Sequence, residues 1–228
     1  MARKKYLLCI PIVAKDTRGA LKKISEAKEH TDIFELRLDL MDSFDLHDII
    51  QAAERPVIVT YRSVKEGGQG THDPLTIVSY LKSAADANAA CIDVELSMPA
   101  KLRNEIIKNR KNSRIIISTH IMEYTPPEGD LLFLLDESIR VGGDIVKIVT
   151  MARSIEDNLR MLELVSEAGE MGADIIAFCM GPLGRMSRVF SPLMGGYLTF
   201  ASLEEGEESA AGQIPVQEMK RLLEYFKI

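Results

Sequence analysis

Lys147 is the residue whose setting is hardest to explain without chemistry. It stands between Val146 and Ile148 in the run DIVKIVT, and lysine is almost never fully buried without a partner or a task. Desolvation disfavours an ammonium ion, and an uncharged amine can attack a carbonyl carbon to form a Schiff base. Two other readings stay open: Lys147 snorkels from an edge strand, or it pairs with a buried carboxylate. His120 closes the neighbouring apolar run, RIIISTH. His30, His47 and His72 lie in polar helix or loop contexts instead. Imidazole titrates near neutrality and can both remove and return a proton; a hydrogen-bonded core histidine is the alternative. Glu95, one run earlier in CIDVEL, could orient the imidazole and fix its tautomer.

A second group of polar residues suits hydroxyl or anion binding. Glu35, Arg37 and Asp39 alternate in IFELRLDL, and period-two spacing sends all three side chains to one face of a strand. Buried there, they must pair or bind a ligand, because unpaired buried charge is costly. An internal salt-bridge layer involving Asp39 is the bland alternative. Arg62, after PVIVTY, is another hydroxyl or carboxylate contact. Arg188 offers a planar fork matched to a carboxylate. Gly181, Gly184, Gly195 and Gly196 would also fit a phosphate cradle. Metal ligation is not expected: there is no His-x-His or HExxH pattern, and the acidic residues are interleaved with Arg and Lys.

The elements that would position these residues repeat along the chain. Eight apolar runs read as strands: 6–13, 33–40, 56–62, 91–96, 114–120, 144–150, 174–180 and 196–202. Helical spacing lies between them at Leu21, Ile24 and Ala27, at Ile77, Leu81 and Ala84, and at Leu159, Leu162 and Val165. Gly169 and Gly172 read as stop signals there, and Pro215 opens the last helix at a first-turn position. Eight strands alternating with eight helices predict an α/β fold, a single-domain (β/α)8 TIM barrel over residues 1–228. A doubly wound open sheet is the rival, but no Gly-rich fingerprint follows the first strand. Barrel chemistry gathers at the C-terminal ends of the strands, where the polar residues above fall. The acidic stretch 203–213, LEEGEESAAGQ, is a solvated loop or a lid.

Bulk properties narrow the function class. A chain of 228 residues with 46 % hydrophobic residues can build a core without disulfide or metal staples. Net charge of −6 argues against nucleic acid or an anionic membrane as the main partner. Cys9, Cys91 and Cys179 each sit inside an apolar run and read as core residues in a reducing, cytoplasmic compartment. The basic start followed by YLLCIPIV is too short for a membrane span and reads as the first strand.

Taken together, ELRLD (35–39), TYRS (60–63), DVEL (93–96), S-x-H (118–120), DIVKI (144–148), MGPLGRMSR (180–188), LTFA (198–201) and GQIPV (212–216) resemble the type I 3-dehydroquinate dehydratases of the shikimate pathway. The resemblance runs over essentially the whole chain. It implies a dehydratase without a cofactor, acting on the small molecule 3-dehydroquinate, often as a homodimer. It implies that Lys147 forms the Schiff base, that His120 is the general acid and base, and that Glu95 supports His120. Arg188 and Gln213 resemble the family's contacts to the substrate carboxylate. Glu35, Arg37 and Arg62 resemble its binders of ring hydroxyls, Met180 the packing residue beside the imine, and Ser209 a lid serine. Two departures are visible: Ile121 follows His120 where the family often has Asp, and the lid reads Ala210-Ala211-Gly212-Gln213 rather than Ala-Pro-Gly-Gln. A class I aldolase barrel is a rival, as is a catalytically dead barrel kept as a sugar-acid binding module.

Overall fold

The structure, a computed structural model, describes residues 6–226; the basic start of the chain and residues 227–228 lie outside it. Eight parallel strands carry the fold: β1 (Leu7–Ile12), β2 (Ile33–Arg37), β3 (Val57–Thr60), β4 (Cys91–Glu95), β5 (Arg114–Ile121), β6 (Ile145–Met151), β7 (Ile175–Met180) and β8 (Leu198–Ser202). Helices α1 (Thr17–Ala27), α2 (Leu46–Ala52), α3 (Pro74–Asp86), α4 (Ala100–Lys108), α5 (Glu128–Arg140), α6 (Glu156–Glu170), α7 (Arg185–Leu193) and α8 (Val216–Tyr225) follow them in turn. The strands pair in the order β7-β6-β5-β4-β3-β2-β1-β8, and a two-residue β9 (Ile214–Pro215) extends the sheet beside β8. The Tyr197 N–H donates to the Ile175 carbonyl at 2.7 Å, joining the chain ahead of β8 to β7.

Closure is visible in the core. One apolar cluster takes Cys9, Ile33, Ile58, Cys91, Ile116, Ile145, Ile176 and Leu198, one residue from each strand β1 to β8. All eight are buried. Only a sheet curled on itself brings eight such side chains into one cluster, and it forms the barrel floor. Their chain neighbours, among them Phe34, Ile92, Ile115, Ile117 and Val146, face outward and pack under the helices in two further clusters. Both faces of each strand are therefore buried, which is why the runs read as continuously apolar.

The first three helices begin where an aspartate side chain caps their free N–H groups. Asp16 accepts from the Gly19 N–H at 2.7 Å ahead of α1. Asp73 accepts from the N–H groups of Leu75 and Thr76 ahead of α3, which opens on Pro74. Three expectations need correction. The second run stops being a strand at Arg37, and Leu38–Leu40 form a 3-10 turn, so Asp39 is not on the strand face of Glu35. Pro215 is extended (φ −56°, ψ 144°) and precedes α8, because it still pairs with β8. Gly169 lies within α6; the helix gives way at Gly172, whose φ is +72°. Among the described residues no helix is long and apolar enough to cross a membrane.

Candidate active site

Above the apolar floor, the inward positions turn polar on one side of the barrel. Stepping two residues up each strand gives Glu35, Thr60, Asp93, Ser118 and Lys147 from β2 to β6, while β7 and β8 contribute Phe178 and Phe200. The β5–β6 register pairs Ser118 with Lys147. One more step gives Arg37, Arg62, Glu95, His120, Val149 and Met180. The result is a cavity of about 270 Å³ with one charged wall and one apolar wall. Lys147, His120, Glu35, Arg37, Arg62, Met180, Arg188, Ser209 and Gln213 all line it.

Lys147 is 4 % exposed, and its Nζ lies 3.0 Å from Glu35 Oε1 and 3.0 Å from Asp93 Oδ2. Its other flank is the Phe200 ring, with Nζ 4.8 Å from the centroid. The surroundings are thus not purely apolar: the amine is the cationic member of a buried ion cluster, as one alternative reading of the sequence allowed. Thr60 Oγ1 donates to Glu35 Oε1 at 3.0 Å and holds that carboxylate from below.

The support of His120 differs from the expectation. Glu95 does not touch the ring. Glu95 Oε1 accepts instead from Arg62 Nη1 at 3.0 Å and from the Ser63 N–H at 2.9 Å. The carboxylate against His120 is Glu66, whose Oε2 lies 3.2 Å from Nδ1 and accepts the His120 backbone N–H at 3.1 Å. Such a partner selects the tautomer with its proton on Nδ1 and leaves the Nε2 lone pair to act as a base. Glu66 sits in a 3-10 turn, Val64–Glu66, just after β3. Sequence reasoning passed over it because it lies beyond the strand. The signal that could have found it is the run Arg62-Ser63-Val64-Lys65-Glu66-Gly67-Gly68, an arginine and a carboxylate four residues apart ahead of paired glycines. The turn folds back so closely that a Cβ on Gly68 would lie 2.2 Å from the Arg62 carbonyl oxygen.

Arg62 lines the cavity, but its fork is taken up by the protein. Nη2 donates to Asp93 Oδ1 at 2.7 Å, and Nη1 reaches Glu95, Ser118 Oγ at 2.9 Å and Glu66 at 3.4 Å. Arg62 therefore organises three carboxylates rather than standing open to hydroxyl groups. Arg37 forms a bidentate pair with Asp39, both bonds at 2.8 Å, so the salt-bridge reading of Asp39 holds even though the strand has ended.

These contacts set the ionisation of the site. Burial alone would raise the Asp93 carboxyl, but Arg62 and Lys147, helped by the Ser118 hydroxyl, hold it well below the usual carboxylate range. Burial pushes Glu66 up to about 7 against the pull of Arg62, with Glu95 and Asp93 adding repulsion. Burial, together with the Arg62 and Lys147 charges, drives His120 well below the ordinary histidine value, so the ring is neutral.

Arg188 stands on the apolar side. It is 1 % exposed, with its guanidinium 4.5 Å from the Phe178 ring centroid. Burial lowers it to about 10, so it stays cationic at neutral pH. Its Nη2 donates to the Ala211 carbonyl at 3.1 Å, its Nε has no partner, and among the described residues no carboxylate pairs with it. A buried arginine with unmet donors facing a cavity suits a small anion. Ser209 and Gln213, in the 203–213 loop above it, are joined by bonds of 2.8 and 3.1 Å. The Gly181 N–H donates to the Ala211 carbonyl at 3.1 Å and ties that loop to the end of β7. The glycines offered as a phosphate cradle have a packing explanation at two positions: Cβ atoms on Gly184 and Gly196 would lie 2.6 Å from Cys179 backbone and from Ser191 Oγ. Among the described residues no His, Cys, Asp and Glu cluster suits a metal ion.

Known proteins resemble this chain over nearly its whole length. The family model for type I 3-dehydroquinase matches residues 8–228. The 3-dehydroquinate dehydratase of Methanococcus maripaludis strain C5 is 36 % identical over 223 residues, covering 96 % of this chain and 99 % of that protein. The solved Clostridium difficile type I 3-dehydroquinate dehydratase is 27 % identical with a TM-score of 0.88, over 99 % of this chain and 93 % of that one. The Aquifex aeolicus 3-dehydroquinate dehydratase is 31 % identical with a TM-score of 0.78, over 97 % of this chain and 99 % of that one. With a matching model over nearly its whole length and relatives above 30 % identity, the chain belongs to the type I 3-dehydroquinase family.

Proposed function

We propose that this chain converts 3-dehydroquinate to 3-dehydroshikimate and water in the shikimate pathway, by a Schiff base on Lys147 and a syn elimination driven by His120. The observation that carries the reading is one cavity holding a buried lysine amine, a neutral imidazole anchored by Glu66, and a buried guanidinium without a carboxylate partner among the described residues. The reading includes a single catalytic domain over residues 1–228, a homodimer as the family resemblance implies, and a cytoplasmic location, which the three free, buried cysteines support.

The chemistry balances without a redox partner. The Lys147 ammonium releases a proton, the freed amine adds to the C3 carbonyl, and that proton with one from the nitrogen carries the carbonyl oxygen off as water, giving a protonated imine. That cation draws electrons from C2 and acidifies its protons. Nε2 of His120 takes one of them, and the electron pair moves into the enamine. The enamine then expels the C1 hydroxyl, to which His120 returns the proton, so water leaves. A single base serving both steps works from one face of the ring, hence syn. Hydrolysis of the imine frees the product and the lysine. Arg188 and Gln213 hold the substrate carboxylate, Glu35 and Arg37 take ring hydroxyls, and Met180 packs beside the imine. Ser209, paired with Gln213 in the loop above, closes the site.

Borohydride tests the reading directly. Added with 3-dehydroquinate, it should attach one ligand mass to the peptide containing Lys147, in a chain that also produces the conjugated enone seen in the ultraviolet. A label on another lysine moves the nucleophile. Absence of enone formation leaves only a sugar-acid binding barrel.

A further inference from the structure

The mechanism above uses Lys147 and His120 but leaves Asp93 idle, although Asp93 is 1 % exposed and touches the reacting nitrogen. We propose that Asp93 is the standing counter-ion of the Lys147 nitrogen, keeping its charge balanced from ammonium to protonated imine, while Glu35 grips the same nitrogen only until substrate arrives. The proposal rests on the Schiff-base reading.

Charge is conserved at the nitrogen as the imine forms. An ammonium plus a ketone becomes a protonated imine plus water, so the nitrogen carries one positive charge before and after the bond forms. A buried cation needs a counter-ion in both states, and that counter-ion must not take up the proton itself. The two carboxylates on Lys147 differ on this point. Asp93 Oδ1 receives Arg62 Nη2 at 2.7 Å and Ser118 Oγ at 2.6 Å, which leaves Oδ2 for Nζ. Two donors, one of them a second cation, lock it in place and keep it ionised. Glu35 has a single longer bond from Thr60 Oγ1 besides Nζ, and it lines the cavity itself. Glu35 can therefore turn to substrate hydroxyls without unbalancing the nitrogen, because Asp93 remains. His120 is one step higher on β5 than Ser118, so the charge held by Asp93 lies below the base rather than in its path.

The test compares the wild-type chain with Asp93→Asn. One assay measures the fraction of chains reduced to an adduct by borohydride at saturating 3-dehydroquinate. A second measures inhibition by the alcohol analogue in which C3 bears a hydroxyl. The analogue cannot form an imine, so its inhibition constant reports the pocket alone. In Asp93→Asn the adduct fraction, and kcat with it, should fall at least about tenfold, while the analogue binds as it does to the wild type. A parallel loss of analogue binding would overturn the proposal and leave Asp93 a shaping role. An adduct formed by the wild type and undiminished in Asp93→Asn would overturn it as well. An adduct missing even from the wild type would instead remove the Schiff-base reading and the counter-ion together. Should Asp93→Asn not fold, Ser118→Ala carries the test. It keeps both charges and removes one donor to Oδ1, so the adduct fraction should fall with analogue binding retained; an unchanged fraction overturns the proposal.

Discussion

Replacing Glu66 by glutamine should make the protein more stable at alkaline pH while impairing its base. Glu66 is 5 % exposed, and it bonds His120, Ser97 Oγ at 2.7 Å and, more loosely, Arg62. Burial lifts its carboxyl from 4.5 to about 7. Because the folded-state value is raised, the protonated side chain favours the fold. That contribution is present in full below pH 4.5 and is lost as pH rises through about 7. At about 1.4 kcal/mol per pH decade, the span corresponds to about 3 kcal/mol. Glutamine resembles the protonated acid and carries no such cost. Urea unfolding of Glu66→Gln and wild type should therefore give similar stabilities at pH 5. At pH 8 the variant should be ahead by about 3 kcal/mol, roughly 6–12 °C in Tm for a chain of this size. Comparing the two chains at each pH cancels the groups that do not interact with Glu66. A stability difference that is the same at pH 5 and pH 8 would refute the assignment of the buried ionisation to Glu66.

Three further outcomes are expected. Arg62→Met strands Asp93, Glu95 and Glu66 without their shared cation and should cost about 3–5 kcal/mol in urea unfolding at pH 7; a loss below about 1 kcal/mol would show that the carboxylates do not need it. Gly68→Ala places a methyl where the Arg62 carbonyl already lies, 2.2 Å away, and should displace the Glu66 turn at a cost of about 1–3 kcal/mol, with turnover lost in proportion. Arg188→Lys loses the planar fork and should raise KM about tenfold or more with little change in the unfolding midpoint, whereas an unchanged KM would move the carboxylate elsewhere.

Much of the architecture was legible because barrel strands are buried on both faces and therefore leave continuous apolar runs. The predicted runs agree with β1 to β8 to within a few residues, and the two largest differences have local causes. At Leu38–Leu40 the chain turns into a 3-10 helix while keeping an apolar spelling. At Ile214–Pro215 a two-residue strand is too short to leave any pattern. Lys147 and His120 were conspicuous because a basic residue inside, or at the end of, an apolar run is rare whatever the fold.

Which carboxylate serves which cation was not written in the order of residues. Glu95 looked like the partner of His120 because its strand is the neighbour of β5 and its side chain points inward. Spatially it belongs to Arg62 and to the Ser63 N–H, and this anchors the turn that brings Glu66 to the ring from 54 residues away in sequence. Likewise the amine expected in an apolar setting rests between Glu35 and Asp93, 112 and 54 residues distant. The sequence by itself determined the barrel and the inward placement of Lys147 and His120, because burial and strand periodicity act on neighbours along the chain. The pairing of charges was decided by tertiary structure alone: Coulomb attraction and desolvation depend on distance through space, and that distance exists only once the sheet has closed.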